Sequence, residues 1–316
     1  MEKPSNLLVK FSQRLFKDKD YQEKFINALV NPQPFNPSIL WCQLKPEEPP
    51  FQLVPPTPWQ PKFIDRLALN EKPGKHSFHD QGYYYCLDFS SIFAASTLLT
   101  IAKPINAILD MCASPGGKSV FAWTALKPQL LISNEVIGKR KGALISNLKR
   151  CRISPAIALG LDSQVLADLI PNTAQVVLVD APCTGQSLLA KGNKAPGCFH
   201  PILINKNANR QKRILANSAK LVAPQGYLAY MTCAYSPEEN EQVSEWFLAK
   251  FPQFEALVVP HLVAAQSHLT DIPCYRMWPY SGLGAGAFTI LFKNMEEGAA
   301  SEIPAEFLER SDSIYL

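Results

Sequence analysis

From about residue 104 onward the chain alternates short apolar runs with amphipathic ones, and this alternation restricts the fold more than any other feature. Residues 105–111 read as a first strand closing on an acidic turn, and Gly116 and Gly117 open a helix through Leu126. A second strand over 130–133 is followed by a basic amphipathic helix over 139–151. The third and fourth strands are 156–159 and 176–179. A long basic helix over 204–222, a fifth strand over 227–231, a helix over 238–250 and a last alternating strand over 288–292 complete the pattern. Such alternation specifies an α/β fold, a doubly wound and mostly parallel sheet that binds ligands at its strand C-termini.

Upstream the pattern changes. Residues 5–30 place Leu8, Phe11, Leu15, Phe16, Phe25 and Leu29 at helical spacing. Residues 31–61 then hold ten of the 27 prolines, so this stretch is extended or turn-rich. Residues 83–100 read as a strand leading into a helix. The organisation expected is a helical N-terminal region (1–30), a proline-rich connector or N-terminal lobe (31–75), the main domain (76–295) and an acidic tail (296–316).

With 316 residues, 47% of them hydrophobic and 18% charged, the chain can bury a sizeable core. No run reaches the roughly 18 apolar residues of a membrane-spanning helix, and the N-terminus lacks a signal-peptide stretch. The tail holds six acids (Glu296, Glu297, Glu302, Glu306, Glu309, Asp312) against Arg310, and reads as a disordered solubility segment. The rest of the chain therefore carries a basic excess suited to a polyanion. Eight cysteines include no C-x-x-C pair, which disfavours structural zinc and points to a reduced, cytoplasmic setting.

Four strand ends carry chemistry. The first is Asp110-Met-Cys-Ala-Ser-Pro-Gly-Gly-Lys118. A P-loop would need glycine at 112, where Cys112 stands, and G-x-G-x-x-G is absent. A small-molecule site of Rossmann type remains, with Glu135 ending the second strand where an acid commonly binds ribose hydroxyls. Asp162 follows the third strand, where an aspartate is also a common helix cap. The fourth and fifth strands end in Asp180-Ala-Pro-Cys183-Thr-Gly and Thr232-Cys233 followed by Glu239-Asn-Glu241. Two cysteines in loops at the ligand edge read as reagents rather than core filler.

These motifs together resemble the Sun/Nop family of RNA (cytosine-5) methyltransferases, over about residues 76–294. The resemblance implies a Rossmann-like class I methyltransferase with a seven-stranded sheet whose last strand is reversed, preceded by a smaller RNA-binding lobe. It implies S-adenosyl-L-methionine as cofactor, with Cys112, Ala113, Ser114, Pro115, Gly116, Gly117 and Lys118 around its methionine and ribose. Glu135 would take the ribose hydroxyls, Asp162 the adenine edge, and Asp180 would lie between cofactor and substrate. Cys233 matches the family nucleophile and Cys183 the cysteine that assists product release.

The partner implied is RNA, ribosomal RNA before tRNA, with the target base out of its stack. Other readings are a catalytically silent RNA-binding ribosome-assembly factor, or Cys183 as the nucleophile. Arg140, Lys191, Arg210 and Arg213 are candidates for phosphate contact. Trp41, Trp59 and Tyr83–Tyr85 suit either base stacking or packing between lobe and core. A monomer without metal or membrane contact is the default. Two motifs depart from the family: Gln186 to Lys191 follow Cys183-Thr-Gly where a small and soon a basic residue are usual, and Tyr280 stands in place of the histidine of Arg-x-x-Pro-His.

Overall fold

The computed structural model describes residues 4–310 and 313–316. Ser5 and Asp18 cap two helices, α1 (Asn6–Leu15) and α2 (Lys19–Val30), each accepting from a backbone N–H of the first turn. Strands β1 (Ser38–Trp41) and β2 (Ile64–Arg66) come from the proline-rich segment. A short helix α3 (Ser77–Asp80) precedes β3 (Tyr84–Cys86), and β1 pairs antiparallel with both β2 and β3. The lobe is thus closed by a strand from beyond residue 75, the expected boundary. Helix α4 (Phe89–Ala95) then leads into the main sheet.

In chain order that sheet uses β4 (Ala107–Asp110), α5 (Gly117–Leu126), β5 (Leu130–Asn134), α6 (Gly138–Arg150), β6 (Ala156–Leu159) and α7 (Ser163–Leu169). It continues through β7 (Ala174–Asp180), α8 (Pro201–Leu221), β8 (Val222–Thr232), α9 (Glu241–Lys250), β9 (Phe254–Ala256), β10 (Tyr275–Met277) and β11 (Ala287–Asn294). The spatial order β10-β11-β8-β7-β4-β5-β6 contains the seven expected strands, with β11 antiparallel to β8 and to β10. Two more strands described here extend it: β9 pairs with β11, and β12 (Ile314–Tyr315) pairs antiparallel with β6.

The tail therefore departs from the disordered reading. Helix α10 (Ala305–Leu308) buries Phe307 in the core, and Ile314 and Tyr315 add a strand at the sheet edge. Of its acids, Asp312 lies outside the described residues. No helix among the described residues is long and apolar enough to cross a membrane, and no group of three His, Cys, Asp or Glu is placed to hold a metal ion.

Strand side chains alternate across the sheet. Ile108, Leu131, Val176, Leu178 and Ala229 pack beneath α4, α5 and α6, through Phe93, Phe121 and Leu148. Leu109, Ile132, Val177, Val179 and Leu228 face α7, α8 and α9, through Leu166, Leu215 and Phe247. Both faces are covered, which is why the parallel strands read as continuous apolar runs.

The N-terminal helices are not an appendage. Phe11, Phe16, Phe25 and Leu29 form a cluster with Ala190, Tyr235 and Ala285 of the main domain, and the Phe25 ring meets Tyr235 edge-on at 5.0 Å. Fully burying one such phenylalanine contributes about 1.5–3 kcal/mol. The aromatic residues offered for stacking mostly pack instead. Trp41 and Tyr84 are almost fully buried, and Trp59 lies on Phe89 at 4.8 Å.

Candidate active site

The C-terminal ends of β4, β5 and β6 frame one cleft. Met111 and Cys112, Glu135 and Asp162 line it together with Arg140, Arg210 and Arg213. Glu135 is buried, and its carboxylate accepts from the Ile137 amide at 2.9 Å, with the Arg140 guanidinium 3.5 Å away. Asp162 remains exposed and caps α7, accepting from Gln164 N at 2.9 Å, so its capping and lining roles coexist. Val136 and Ile137 contribute apolar surface that solvent still reaches.

Residues 112–118 divide. Cys112 lines the cleft; burial, then Asp110, pushes its thiol up and makes it a poor reagent. Gly116 takes φ 112° at the mouth of α5, a left-handed conformation that other residues rarely adopt. Ser114 is fastened to α6, donating to Arg140 O at 2.9 Å while the Arg140 guanidinium donates to Ser114 O at 2.6 Å. Arg140 thus braces the rim of the cleft, with about half of its side chain still exposed.

Two residues that sequence reasoning did not assign hold this cleft together. Asn134, one place before Glu135, donates to Leu161 O at 2.9 Å and accepts from Leu161 N at 2.8 Å, while its own carbonyl accepts from Ala113 N at 2.9 Å. It ties three strand-end loops into one rim. Asp110 is fully buried and accepts from Ser119 Oγ at 2.7 Å; burial raises its carboxyl to about 7. The only signal in sequence was an acid ending the first strand.

A second cavity opens beside the first, between β7, β8 and the start of β11. Its walls include Asp88, Lys118, Asp180, Lys191, Cys233 and Gly286. Lys118, grouped in sequence with the cofactor loop, points here: its ammonium lies 2.6 Å from Asp180. Burial alone would lower the Lys118 pKa; the Asp180 carboxylate more than offsets this and holds it raised. Lys191 lies 2.9 Å from Asp88. Two ion pairs therefore share the cavity with the cysteine.

Cys183 and Cys233 are 50 positions apart in sequence, yet their sulfurs lie 3.1 Å apart. Hydrogen bonding from Cys183 draws Cys233 below the usual thiol range; Ser187 and Lys118 act the same way, against burial and Asp180. The same bond pushes Cys183 well up, and burial and Glu239 add to it. The two sulfurs are thus close enough to share one proton.

The segment after Cys233 is what fixes this geometry. Asn240 Nδ2 donates to Ala234 O at 2.9 Å, and its Oδ1 accepts from Thr232 Oγ1 at 2.5 Å, so both neighbours of Cys233 are clamped. Arg276 and Glu241 form a buried pair, and Arg276 also donates to Tyr235 O at 3.0 Å. Gln186, a departure from the family pattern, is fully buried. It accepts from Ser236 N at 2.9 Å and donates to Cys198 O at 2.8 Å. That substitution staples the two cysteine loops together. Tyr280, the other departure, lies outside this cavity against Tyr21 and Trp278.

Comparison with known proteins adds the family. Two crystal structures from Pyrococcus horikoshii share the fold over most of the chain. The first, of a methyltransferase homolog protein, has TM-score 0.71 and 22% identity, covering 92% of this chain and 99% of that one. The second, of NSun6 with SFG, has TM-score 0.70 and 19% identity, covering 93% and 99%. Ribosomal RNA small subunit methyltransferase F of Pectobacterium carotovorum subsp. carotovorum (strain PC1) is 29% identical over 209 residues, 64% of this chain and 43% of that protein. The chain thus spans less than half the length of such curated relatives. Residues 97–293, which contain both cysteines and both clefts' strand ends, match the model of the 16S rRNA methyltransferase RsmB/F family, and the chain belongs to that family.

Proposed function

We propose that this chain is a cytoplasmic, monomeric RNA (cytosine-5) methyltransferase that uses S-adenosyl-L-methionine and acts on small-subunit ribosomal RNA. The observation that carries the reading is the pair of sulfurs 3.1 Å apart beside the Lys118–Asp180 ion pair, at the strand ends of this fold. The substrate class follows the family and the name of its relatives.

The first cleft suits the cofactor chemically. It offers buried Glu135 for ribose hydroxyls, Asp162 for the adenine edge and the apolar Val136 and Ile137 for a ring face. When bound, S-adenosyl-L-methionine supplies an electrophilic methyl group.

Cytosine C5 is a weak nucleophile, and this chain's residues raise its reactivity. The Cys233 thiolate adds to C6, making C5 enamine-like and splitting one hard step into easier ones. The Lys118–Asp180 pair can hydrogen-bond N3 and stabilise charge that builds on the ring. Asp180 here is paired with a cation, so Lys118 is the proton donor of the pair. Once C5 carries the methyl group, a base removes the C5 proton, the C5–C6 double bond reforms and Cys233 leaves as thiolate. Cys183 assists that release. Lys191, on the cavity wall, is the cation of the four expected at RNA phosphates that lies nearest this chemistry; Arg210 and Arg213 border the cofactor cleft.

The test is incubation of the purified chain with methyl-labelled S-adenosyl-L-methionine and small-subunit ribosomal RNA, then nucleoside analysis. Label in 5-methylcytidine is the expected result. Label confined to transfer RNA would move the substrate, and RNA binding without any label would move the chain to the silent assembly-factor reading.

A further inference from the structure

We infer that Glu239 is a positioning residue that decides which cysteine is charged: its buried carboxylate beside the Cys183 loop keeps the shared proton on Cys183 and leaves Cys233 as the thiolate. The inference rests on the methyltransferase reading for its role in turnover, but not for its chemistry.

Glu239 is fully buried. Its oxygens accept from Thr184 N at 2.9 Å, Thr184 Oγ1 at 2.6 Å, Ser236 Oγ at 2.6 Å and Gln211 Nε2 at 3.0 Å. Four donors fill the acceptor positions of an ionised carboxylate, and two of them, the Thr184 amide and the Gln211 amide nitrogen, cannot accept a proton in return. Burial pushes the Glu239 carboxyl up, and the hydrogen bonds from Ser236, Thr184 and Gln211 pull against it, toward the charged form. Gln211 gives its other donor contact to Pro182 O at 3.1 Å and leaves its own buried oxygen unpartnered, so the surroundings are arranged around the carboxylate.

Two of the four donors belong to Thr184, the residue after Cys183. The negative charge therefore sits at the Cys183 end of the sulfur pair. At the Cys233 end stands the Lys118 ammonium, with the Ser187 hydroxyl and the opposing Asp180 carboxylate. Asp88 with Lys191 lies across the cavity, and the Tyr230 and Tyr235 phenols pack behind with Cys198. A carboxylate held by neutral donors stands at the Cys183 end and an ion pair with a hydroxyl at the Cys233 end, so the net charge disfavours a thiolate at Cys183 in a pair of sulfurs 3.1 Å apart.

The experiment is iodoacetamide alkylation of the full chain across pH, with Cys183 and Cys233 resolved by peptide mass spectrometry. Wild type should label Cys233 in preference to Cys183, with its midpoint below the ordinary thiol range. Glu239→Gln should move labelling from Cys233 to Cys183, lowering the Cys233-to-Cys183 ratio near neutral pH by about tenfold. Glu239→Asp should restore the preference. Any methyl transfer by the folded variant should fall with the Cys233 share. Should Glu239→Gln lack native circular dichroism, Ser236→Ala serves, since removing one donor weakens the carboxylate's hold on its charge and shifts the ratio the same way by less. An unchanged ratio in the folded variant would overturn the inference. Wild-type alkylation as described without RNA methylation would remove the methyltransferase reading alone; methylation with unchanged alkylation in Glu239→Gln would remove this inference alone.

Discussion

The two clefts sit side by side on one sheet edge but are held by different means. The first cleft, which we propose holds the cofactor, is assembled mainly from residues in or just after β4, β5 and β6, with Arg210 and Arg213 of α8 on its wall, and its main ties are Asn134 between strand ends and Ser114 to α6. The cysteine cavity is assembled from afar. Lys118 and Asp180 are 62 positions apart, Thr184 and Glu239 are 55 apart, and the Lys191–Asp88 pair reaches back to the segment before α4. A loop that binds needs a shape its own turn can specify. A nucleophile needs a charge state and an aim that only a buried network can impose.

The largest effect that separates the halves is Cys233→Ala. Methyl transfer should fall at least about 10³-fold, while cofactor affinity, measured by calorimetry, stays within about twofold of wild type. Parallel loss of both would mean that the two clefts are one cooperative unit.

Next is Asn240→Ala, which touches neither ligand. By freeing Thr232 and Ala234 it lets Cys233 drift, and a displacement of about 1 Å can cost roughly 10²-fold in kcat. Steady-state kinetics should show that loss in kcat with little change in KM. Retained turnover would show that the β8 loop is aimed by other contacts.

Glu135→Gln should act on the other half alone. Losing a charged acceptor at the ribose position should weaken cofactor binding by about tenfold to a hundredfold. Cys233 alkylation should keep its wild-type pH profile.

The smallest effect is electrostatic. Asp110 in the folded chain keeps its proton up to about pH 7, whereas in the unfolded chain it loses it near the ordinary carboxylate value. Across that window the folded state binds more protons, so this group's contribution to stability falls as pH rises. Asp110→Asn lacks the dependence. Its stability relative to wild type should improve by on the order of 2 kcal/mol between about pH 5 and about pH 7, read from denaturant unfolding at each pH. A difference that is flat with pH would place the charge elsewhere.

The same contrast explains what could be read in the sequence. Glu135 and Asp162 were legible because a strand end followed by a turn is a local pattern, and the parallel strands β4–β8 were legible because burial on both faces makes them apolar throughout. The cysteines stood out through their motifs. Their 3.1 Å separation did not, because it depends on how two loops 50 residues apart are braced. Gln186 read as a defect in a motif and proves to be a brace between those loops. Arg140 read as a phosphate contact because it lies on a basic helix; its bond to Ser114 O, which braces the first cleft, was not legible. Of the small sheet, β3 was read as the strand that leads into a helix after residue 83, whereas β1 and β2 were hidden: they have four and three residues, and prolines separate them. Strand β12 has two residues, too few for any alternation to show.

The division of labour between the sulfurs is the centre of this account, and one gel tests it. Cys183→Ala incubated with RNA and S-adenosyl-L-methionine should accumulate a protein–RNA adduct that survives denaturation, and the adduct should vanish in Cys183→Ala/Cys233→Ala. An adduct that forms in Cys233→Ala instead would assign the nucleophile to Cys183 and contradict the account.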